Sequence, residues 1–177
     1  MVRQLSARLL VSIAIVPAVI SVPVGVPQPF TATGTYTDGS RQDLTQSGHW
    51  SSTSANVATI SDASGSQGVA TTLIAGTTTI GISSGSVSAS ATLTVLPAAL
   101  VSISINPAMP TIPLGTNQQF TAAGSYTDGS SQDLTSVVTW TSSDAGIAVI
   151  SDGLASSSGV GAAKITATLN TISNSTT

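Results

Sequence analysis

Hydrophobic and small residues alternate with polar residues in short runs along most of this chain. In the run 28–37, for example, Phe30, Ala32, Gly34 and Tyr36 fall on one face of an extended segment, and an Asp-Gly turn signal follows. The same reasoning predicts strands over residues 11–15, 28–37, 41–45, 49–52, 57–61, 68–73, 77–83 and 86–96, with Ser84-Gly85 as the last hairpin turn. Short strands separated by turn signals predict an all-β fold, an antiparallel two-sheet sandwich.

This pattern occurs twice. Residues 10–60 recur at 100–150 with a constant offset of 90, most clearly where FTATGTYTDGSRQDLT at 30–45 becomes FTAAGSYTDGSSQDLT at 120–135. A period of this length suits a complete small domain with its own core rather than the shorter unit of a solenoid. We therefore predict an N-terminal extension at residues 1–9, a first sandwich at 10–97 and a second sandwich at 98–177.

Composition supports strands and excludes several classes of function. Only 6% of residues are charged and none is glutamate, so the exposed Glu/Lys pairs that favour helices are missing. A hydrophobic content of 41% and a net charge of only −3 argue against disorder. The four basic residues are scattered without interleaved aromatic residues, which argues against nucleic acid as a partner. Because cysteine is absent, the chain has no disulfide, thiolate metal site or cysteine nucleophile.

The N-terminal segment has two interpretations. Residues 1–8 carry two arginines, and the apolar run LLVSIAIVPAVISVPVGV at 9–26 is typical of an export signal or a short membrane span. However, LVSIAI at 10–15 matches the internal LVSISI at 100–105, and Pro17 and Pro23 recur as Pro107 and Pro113. Prolines at these places would break a spanning helix but suit a kinked first strand. We favour the strand and predict no membrane span.

Both copies resemble the bacterial immunoglobulin-like domains of group 2, which occur in invasin- and intimin-type adhesins. The resemblance rests on LVSI followed by proline, then P-x-G, F-T-A-x-G-x-Y-x-D-G-S-x-Q-D-L-T, W-x-S and A-x-I, and it covers nearly the whole chain. It implies two tandem Ig-like sandwiches at the cell surface or outside the cell. Members of this family serve mostly as spacers and adhesive modules and share no catalytic residues, so the resemblance implies that the protein is not an enzyme.

The aromatic residues are predicted to build the two cores rather than a carbohydrate-binding platform, because they fall on the inward parity of their strands. They are Phe30, Tyr36, Trp50, Phe120, Tyr126 and Trp140. Each is expected to bridge the two sheets and to bury on the order of 150–250 Å².

Motifs that could carry chemistry have simpler explanations. GISSG at 81–85 matches the G-x-S-x-G nucleophile motif, but it lies between two predicted strands with no helix after it. His49, the only histidine, is expected at the surface or at an interface, and zinc is implausible without further histidine or cysteine. We therefore predict no catalytic residues, no cofactor and no metal site.

Calcium at a junction between domains is the one metal alternative left open, because hard cations bind clustered carboxylate, carbonyl and hydroxyl oxygens. The aspartates that recur in the two copies have adequate roles in turns and at strand ends. They are Asp38, Asp43, Asp62, Asp128, Asp133 and Asp152.

The two ends of the chain carry the functional prediction. The second copy is five residues shorter between Ile150 and Ile165 than the first copy is between Ile60 and Ile80, so the later offset is 85 and position 177 aligns with position 92. Equivalents of residues 93–95 are then missing from the last strand of the second copy. An unfinished strand leaves unpaired backbone groups and an apolar slot, which favour the addition of a strand.

We therefore predict an extracellular structural subunit that assembles head to tail into a filament. Residues 2–5 align with 92–95 at the offset of 90, and nine residues reach at most about 30 Å, so a second copy is the expected donor. The predicted subunit interface consists of Met1, Val2, Arg3, Gln4, Leu5, Ser175, Thr176 and Thr177. The alternative is a spacer or adhesion fragment of a longer surface protein, in which the continuing chain fills the slot. A carbohydrate-binding module is a third class, and it would need exposed aromatic rings.

Overall fold

The computed structural model describes residues 8–177, and this part of the chain consists of β-strands joined by turns and loops. Its antiparallel pairing confirms the predicted all-β fold. The chain divides into two compact units, of which one ends at Ala98 and the other comprises Ala99–Thr177. We call them domain 1 and domain 2. Among the described residues, no helix has the length and apolar character needed to span a membrane.

Domain 1 is built from strands that form three small hydrogen-bonded sheets. The strands are β1 Leu10–Val16, β2 Val19–Pro23, β3 Gln28–Pro29, β4 Thr31–Tyr36, β5 Arg41–Asp43, β6 His49–Ser52, β7 Ala58–Ile60, β8 Val69–Thr72, β9 Gly76–Ser84 and β10 Val87–Leu96. The sheet orders are β1-β4-β5, β3-β8-β7 and β2-β10-β9-β6. All pairs are antiparallel except β2 with β10, which is parallel.

Domain 2 repeats this plan with one strand fewer among the described residues. Its strands are β11 Leu100–Asn106, β12 Asn117–Gln119, β13 Thr121–Tyr126, β14 Ser131–Asp133, β15 Thr139–Ser142, β16 Ala148–Ser151, β17 Leu154–Ser157, β18 Ile165–Leu169 and β19 Ile172–Thr176. The sheet orders are β11-β13-β14, β12-β17-β16 and β15-β18-β19. The four-stranded sheet of domain 1 therefore corresponds to a three-stranded sheet in domain 2.

The predicted single strand over residues 28–37 is wrong, because β3 and β4 belong to different sheets. The chain passes from one sheet to the other at Phe30. The Phe30 N–H donates a hydrogen bond to the Gly68 carbonyl at 2.7 Å, and the Ala32 carbonyl accepts one from the Leu44 N–H at 2.8 Å. We call such a change of sheet a switch. A similar switch after Pro17 produces β2, which the hydrophobic pattern did not separate from β1. Side chains keep alternating through the switch at Phe30, so the pattern alone does not show it. After Pro17 the inward positions change from odd numbers, as at Ile15, to even numbers, as at Val22.

Two of the three predicted aromatic core positions are confirmed in domain 1. Phe30 and Trp50 are 1% and 3% exposed, with ring centroids 6.5 Å apart. The prediction for the third is wrong, because Tyr36 and its counterpart Tyr126 are only half-buried. Tyr36 ends β4 at the edge of the core, where the Arg8 guanidinium lies 3.8 Å from its ring centroid.

In domain 2 the corresponding pair is Phe120 and Trp140, whose ring centroids lie 6.3 Å apart. Phe120 is 4% exposed, whereas Trp140 is only partly buried. The aromatic pair is therefore preserved between the domains, but its burial is not.

Candidate functional site

The last strand of domain 1 shows how a complete domain is closed. Residues 92–96 of β10 pair in parallel with β2, and residues 92–95 also pair with the start of β9. Leu93 and Val95 point inward and are 0% and 2% exposed. Both belong to the continuous hydrophobic core of the domain. The end of β10 therefore closes the sandwich, because its backbone pairs with a strand on each side and its inward side chains pack in the core.

Domain 2 has no counterpart of this closing segment among its described residues. The pair β18–β19 has the same register as the pair β9–β10 of domain 1. Ile165 lies opposite Thr176, just as Ile80 lies opposite Ala91. β19 ends at Thr176, before the positions that correspond to Leu93 and Val95. The flanking segments differ as well. Residues 109–113 and 161–164, which correspond to β2 and to the start of β9, form no strand.

An open cavity of about 320 Å³ lies at this place in domain 2. It is bounded by residues 109–112 on one side and 159–163 on the other, with Phe120, Ala155 and Ile165 among its buried lining. We call this cavity the domain 2 groove. Among the described residues that line it, none carries a charged side chain. Its lining combines apolar side chains with polar ones from Thr111, Gln118, Ser157 and Thr177.

The buried core of domain 2 is less continuous than that of domain 1. The buried residues of domain 1 form one cluster that includes Leu93 and Val95. In domain 2 one buried cluster surrounds Leu134 and a separate one contains Phe120 and Ile165, with Trp140 partly buried against both.

The structure places part of the predicted subunit interface at the groove. Thr177 lines it, and the buried Thr176 accepts a hydrogen bond at Oγ1 from Met109 N–H at 2.8 Å. The Ser175 N–H is satisfied by the Asn174 side chain at 2.8 Å. The other predicted interface residues, Met1, Val2, Arg3, Gln4 and Leu5, lie outside the described residues. A role in a subunit interface stays a prediction for all eight residues.

Sequence reasoning missed the walls of the groove. Residues 109–113 and 161–164 are about fifty positions apart in the chain, and neither carries a recognisable motif. A signal was nevertheless available, because the offsets of 90 and 85 align these segments with residues 19–23 and 76–79, the two neighbours of the closing strand in domain 1.

Domain 1 carries another group of potentially reactive side chains. His49 pairs through Nδ1 with the Asp62 carboxylate, which also accepts the Trp50 N–H at 2.8 Å, and Ser83 faces His49 across β6 and β9. The His49 side chain is 74% exposed, as expected for a surface histidine. A nucleophile elbow places its serine at a tight turn between a strand and a helix. Ser83 instead lies within the extended β9, so the G-x-S-x-G match does not correspond to that geometry.

Four of the recurring aspartates hold turns through their carboxylates. The Ser or Thr two residues after each of these aspartates donates hydrogen bonds to its carboxylate and thereby lowers the pKa of the carboxyl group. The bond from the hydroxyl has the larger effect, and the bond from the backbone N–H the smaller. The pKa of Asp62 is lowered mainly by the hydrogen bond from the Trp50 N–H. The turn groups are Asp38, Asp43, Asp128 and Asp133. Within residues 8–177, no three His, Cys, Asp or Glu side chains gather as a metal site would require.

These carboxylates predict an acid-labile fold. Their pKa values in the folded state lie below the ordinary value of 3.8, so their stabilising effect is present above pH 3.8 and is lost as the pH falls through the folded values. We expect the melting temperature, followed by circular dichroism, to be flat from about pH 7 to pH 5 and to fall below pH 3.8. The double variant D43N/D133N should show a shallower decline. A melting temperature that is constant down to about pH 2 would contradict this account.

The strand order within each unit defines a tandem pair of immunoglobulin-like β-sandwiches. The chain belongs to the bacterial Ig-like domain family, group 2, whose model matches residues 11–95 and 99–177. The prediction of two tandem copies of this domain is thereby confirmed.

Comparison with known proteins adds a relative and several similar folds. The chain is 44% identical over 163 residues to Ice-binding protein 1 of Shewanella frigidimarina (strain NCIMB 400), a match that covers 91% of this chain and 18% of the relative. The chain therefore spans less than a fifth of that protein's length. Among solved structures, domains 5-6 of the S-layer protein SbsC are 21% identical with 96% of both chains covered and a TM-score of 0.44. Human protocadherin-24 EC1-2 is 12% identical, with 95% and 93% covered and a TM-score of 0.36.

Proposed function

We propose that this chain is a non-catalytic structural unit of an extracellular surface array, in which Ig-like domains are joined end to end through the strand that closes each of them. The open groove of domain 2 carries this proposal. In domain 1 the closing strand β10 ends at Leu96, and β11 of domain 2 begins at Leu100. The strand that completes one domain thus leads directly into the next domain. An open groove at the corresponding place is a site where a further unit would be joined.

The array has two possible forms, which differ in the origin of the joining strand. In the covalent form the chain is a spacer segment of a longer surface protein, and the strand belongs to the same polypeptide. The match to a stretch that makes up 18% of Ice-binding protein 1 supports this form, because it places a similar pair of domains within a longer protein.

In the filament form, residues 1–5 of a second copy fill the groove. The two domains begin alike, which supports this form: Leu9 N–H donates to Thr37 Oγ1 at 3.2 Å, and Ala99 N–H donates to Thr127 Oγ1 at 3.0 Å. Residues 2–5 therefore have the same spacing to domain 1 as residues 92–95 have to domain 2.

Register favours the covalent form. At the offset of 90, Arg3 takes the position of Leu93, which is 0% exposed in domain 1. A guanidinium without a partner in an apolar slot is costly, because its hydration is lost without compensation.

Three proteins separate these possibilities in sedimentation velocity and negative-stain microscopy: the chain itself, a variant lacking residues 2–5, and a chain extended after Thr177 by Leu-Thr-Val-Leu, a copy of residues 93–96. For the covalent form we expect monomers in all three cases and a raised melting temperature for domain 2 of the extended chain. The filament form would be established instead if the chain itself forms polymers and both the variant lacking residues 2–5 and the extended chain do not. An extension that leaves domain 2 unchanged, together with assembly that is independent of residues 2–5, would refute the array.

A further inference from the structure

Domain 1 holds the guanidinium of Arg8 at a polar site beside the end of β4. The Arg8 Cζ atom lies 3.8 Å from the centroid of the Tyr36 ring. Arg8 Nη1 donates to Ser40 Oγ at 3.1 Å, and Arg8 Nη2 donates to Gln42 Oε1 at 2.6 Å. The Tyr36 hydroxyl donates to the same Gln42 oxygen at 3.2 Å. A ring face, a hydroxyl oxygen and an amide oxygen therefore bind one planar cation together.

Asp38 supplies a negative charge beside this site. Its carboxylate accepts a hydrogen bond from the Ser40 N–H at 2.9 Å and another from the Ser40 hydroxyl at 2.5 Å. The Ser40 hydroxyl thus donates to Asp38 and accepts from Arg8 at the same time. The bond from the Ser40 hydroxyl is the main cause of the lowered pKa of Asp38, and the positive charge of Arg8 adds to it. The site therefore matches both the shape and the charge of a guanidinium.

Domain 2 repeats the acceptor groups of this site. They are Tyr126, Asp128, Ser130 and Gln132, each at an offset of 90 from its counterpart in domain 1. The backbone that carries them is folded in the same way. The Tyr126 N–H donates to the Ser130 carbonyl at 3.0 Å, the same distance as for the counterparts in domain 1. The Ser130 N–H donates to the Asp128 carboxylate at 2.9 Å, again as in domain 1.

The arginine itself is not repeated. The counterpart of Arg8 at the offset of 90 is Ala98. The next residue along the chain is held as in domain 1, because the Ala99 N–H donates to Thr127 Oγ1 at 3.0 Å. Within residues 8–177, Arg8 is the only cation that lies over an aromatic ring. The side chains at positions 128, 130 and 132 are exposed, so this surface of domain 2 is accessible to another molecule.

We propose that Tyr126, Asp128, Ser130 and Gln132 form a binding site for an arginine side chain presented by a protein partner. We call it the domain 2 arginine site. Arginine is expected rather than lysine, because a planar guanidinium can cover the ring while two of its N–H groups reach two separate oxygens, and a compact ammonium cannot. None of the four residues lines the domain 2 groove, so this inference goes beyond the proposed function and does not depend on strand joining.

Titration of the isotope-labelled full chain with a capped Gly-Arg-Gly peptide, followed by NMR, tests the site directly. We expect saturable shifts of the backbone amide resonances of residues 126–132. A capped Gly-Lys-Gly peptide should bind roughly tenfold more weakly or worse. Tyr126→Leu should abolish the saturable shifts, whereas Tyr126→Phe, which keeps the ring, should retain most of the binding. Equal binding of the two peptides, or binding that is unchanged in Tyr126→Leu, would overturn the proposal.

The two domains provide matched controls for the location of binding. Ala98→Arg gives domain 2 the arginine that domain 1 already has, so residues 126–132 should no longer respond to the Gly-Arg-Gly peptide. Arg8→Ala makes the opposite change. Residues 36–42 should not respond to the peptide in the chain itself, because Arg8 occupies their site, and they should respond in Arg8→Ala. A response of residues 126–132 that persists in Ala98→Arg would contradict the assignment.

The variant Ala98→Arg also tests the site without any peptide. The introduced guanidinium should raise the melting temperature of domain 2 by about 3–5 °C, followed through the NMR resonances of this domain during heating. Ala98→Lys should raise it by clearly less. Adding Tyr126→Leu should remove the difference between the arginine and alanine variants, because the stacking surface is then lost. If Ala98→Arg gives no increase over Ala98→Lys while Tyr126 is present, the site does not select a guanidinium and the proposal fails.

Discussion

Replacing Leu93 with alanine is expected to lower the free energy of unfolding of domain 1 by about 3 kcal/mol. Leu93 is 0% exposed and lies in the continuous core of the domain, on the strand that closes it. Truncation removes apolar contacts and leaves a cavity that the neighbouring strands can fill only in part. The variant would give domain 1 a cavity where domain 2 has its groove.

Urea denaturation followed by tryptophan fluorescence measures this change. Each domain contains one tryptophan, so in a Trp140→Phe background the signal comes from Trp50 in domain 1. Thr94→Ala is the matched control, because Thr94 follows Leu93 on β10 and faces outward. It should change the free energy by less than about 0.5 kcal/mol. Similar effects of Leu93→Ala and Thr94→Ala would show that the closing strand does not contribute through its inward side chains.

Gly68→Ala is expected to destabilise domain 1 by about 3 kcal/mol. Gly68 has a φ of +81°, and a Cβ there would lie 2.6 Å from the Phe30 carbonyl oxygen and 3.2 Å from Trp50 Cζ2. The Phe30 N–H donates to the Gly68 carbonyl at 2.7 Å, so the two backbones cannot separate without losing that bond. The substitution therefore combines an unfavourable backbone conformation with a steric clash at the centre of the core.

Gly65→Ala provides a control for the backbone conformation alone. Gly65 has a φ of +87°, and apart from its immediate chain neighbours no residue has an atom within 4 Å of the position that a Cβ would take there. Its substitution should cost only about 1–2 kcal/mol, the ordinary penalty of a left-handed residue. The same fluorescence-detected urea titration gives both values. If Gly65→Ala and Gly68→Ala are equally destabilising, close approach of the Phe30 backbone is not the reason for glycine at position 68.

Features that depend on neighbours in the sequence were accessible from the sequence alone. The Asp38-Gly39 turn is an example: Ser40 N–H donates to the Asp38 carboxylate at 2.9 Å, and Gly39 has a φ of +78°. The inward parity of Phe30 and Trp50 also follows from alternation along single strands. Such features need only local geometry, which residue type and spacing specify.

Features that depend on which strands become neighbours were less accessible. Alternation has a period of two whichever sheet a strand joins, so the switch at Phe30 left no mark on the pattern. Tyr36 was expected to bridge the sheets because its parity is inward. Its position at the end of β4, under Arg8, decides its burial instead.

The sequence by itself determined that two similar all-β domains follow one another. Repetition and alternation are properties of the linear chain, so they can be seen without coordinates. Only the tertiary structure decided which distant segments line the domain 2 groove. Residues 109–112 and 159–163 lie across a cavity of about 320 Å³ from one another, because strand pairing brings segments that are distant in the sequence together.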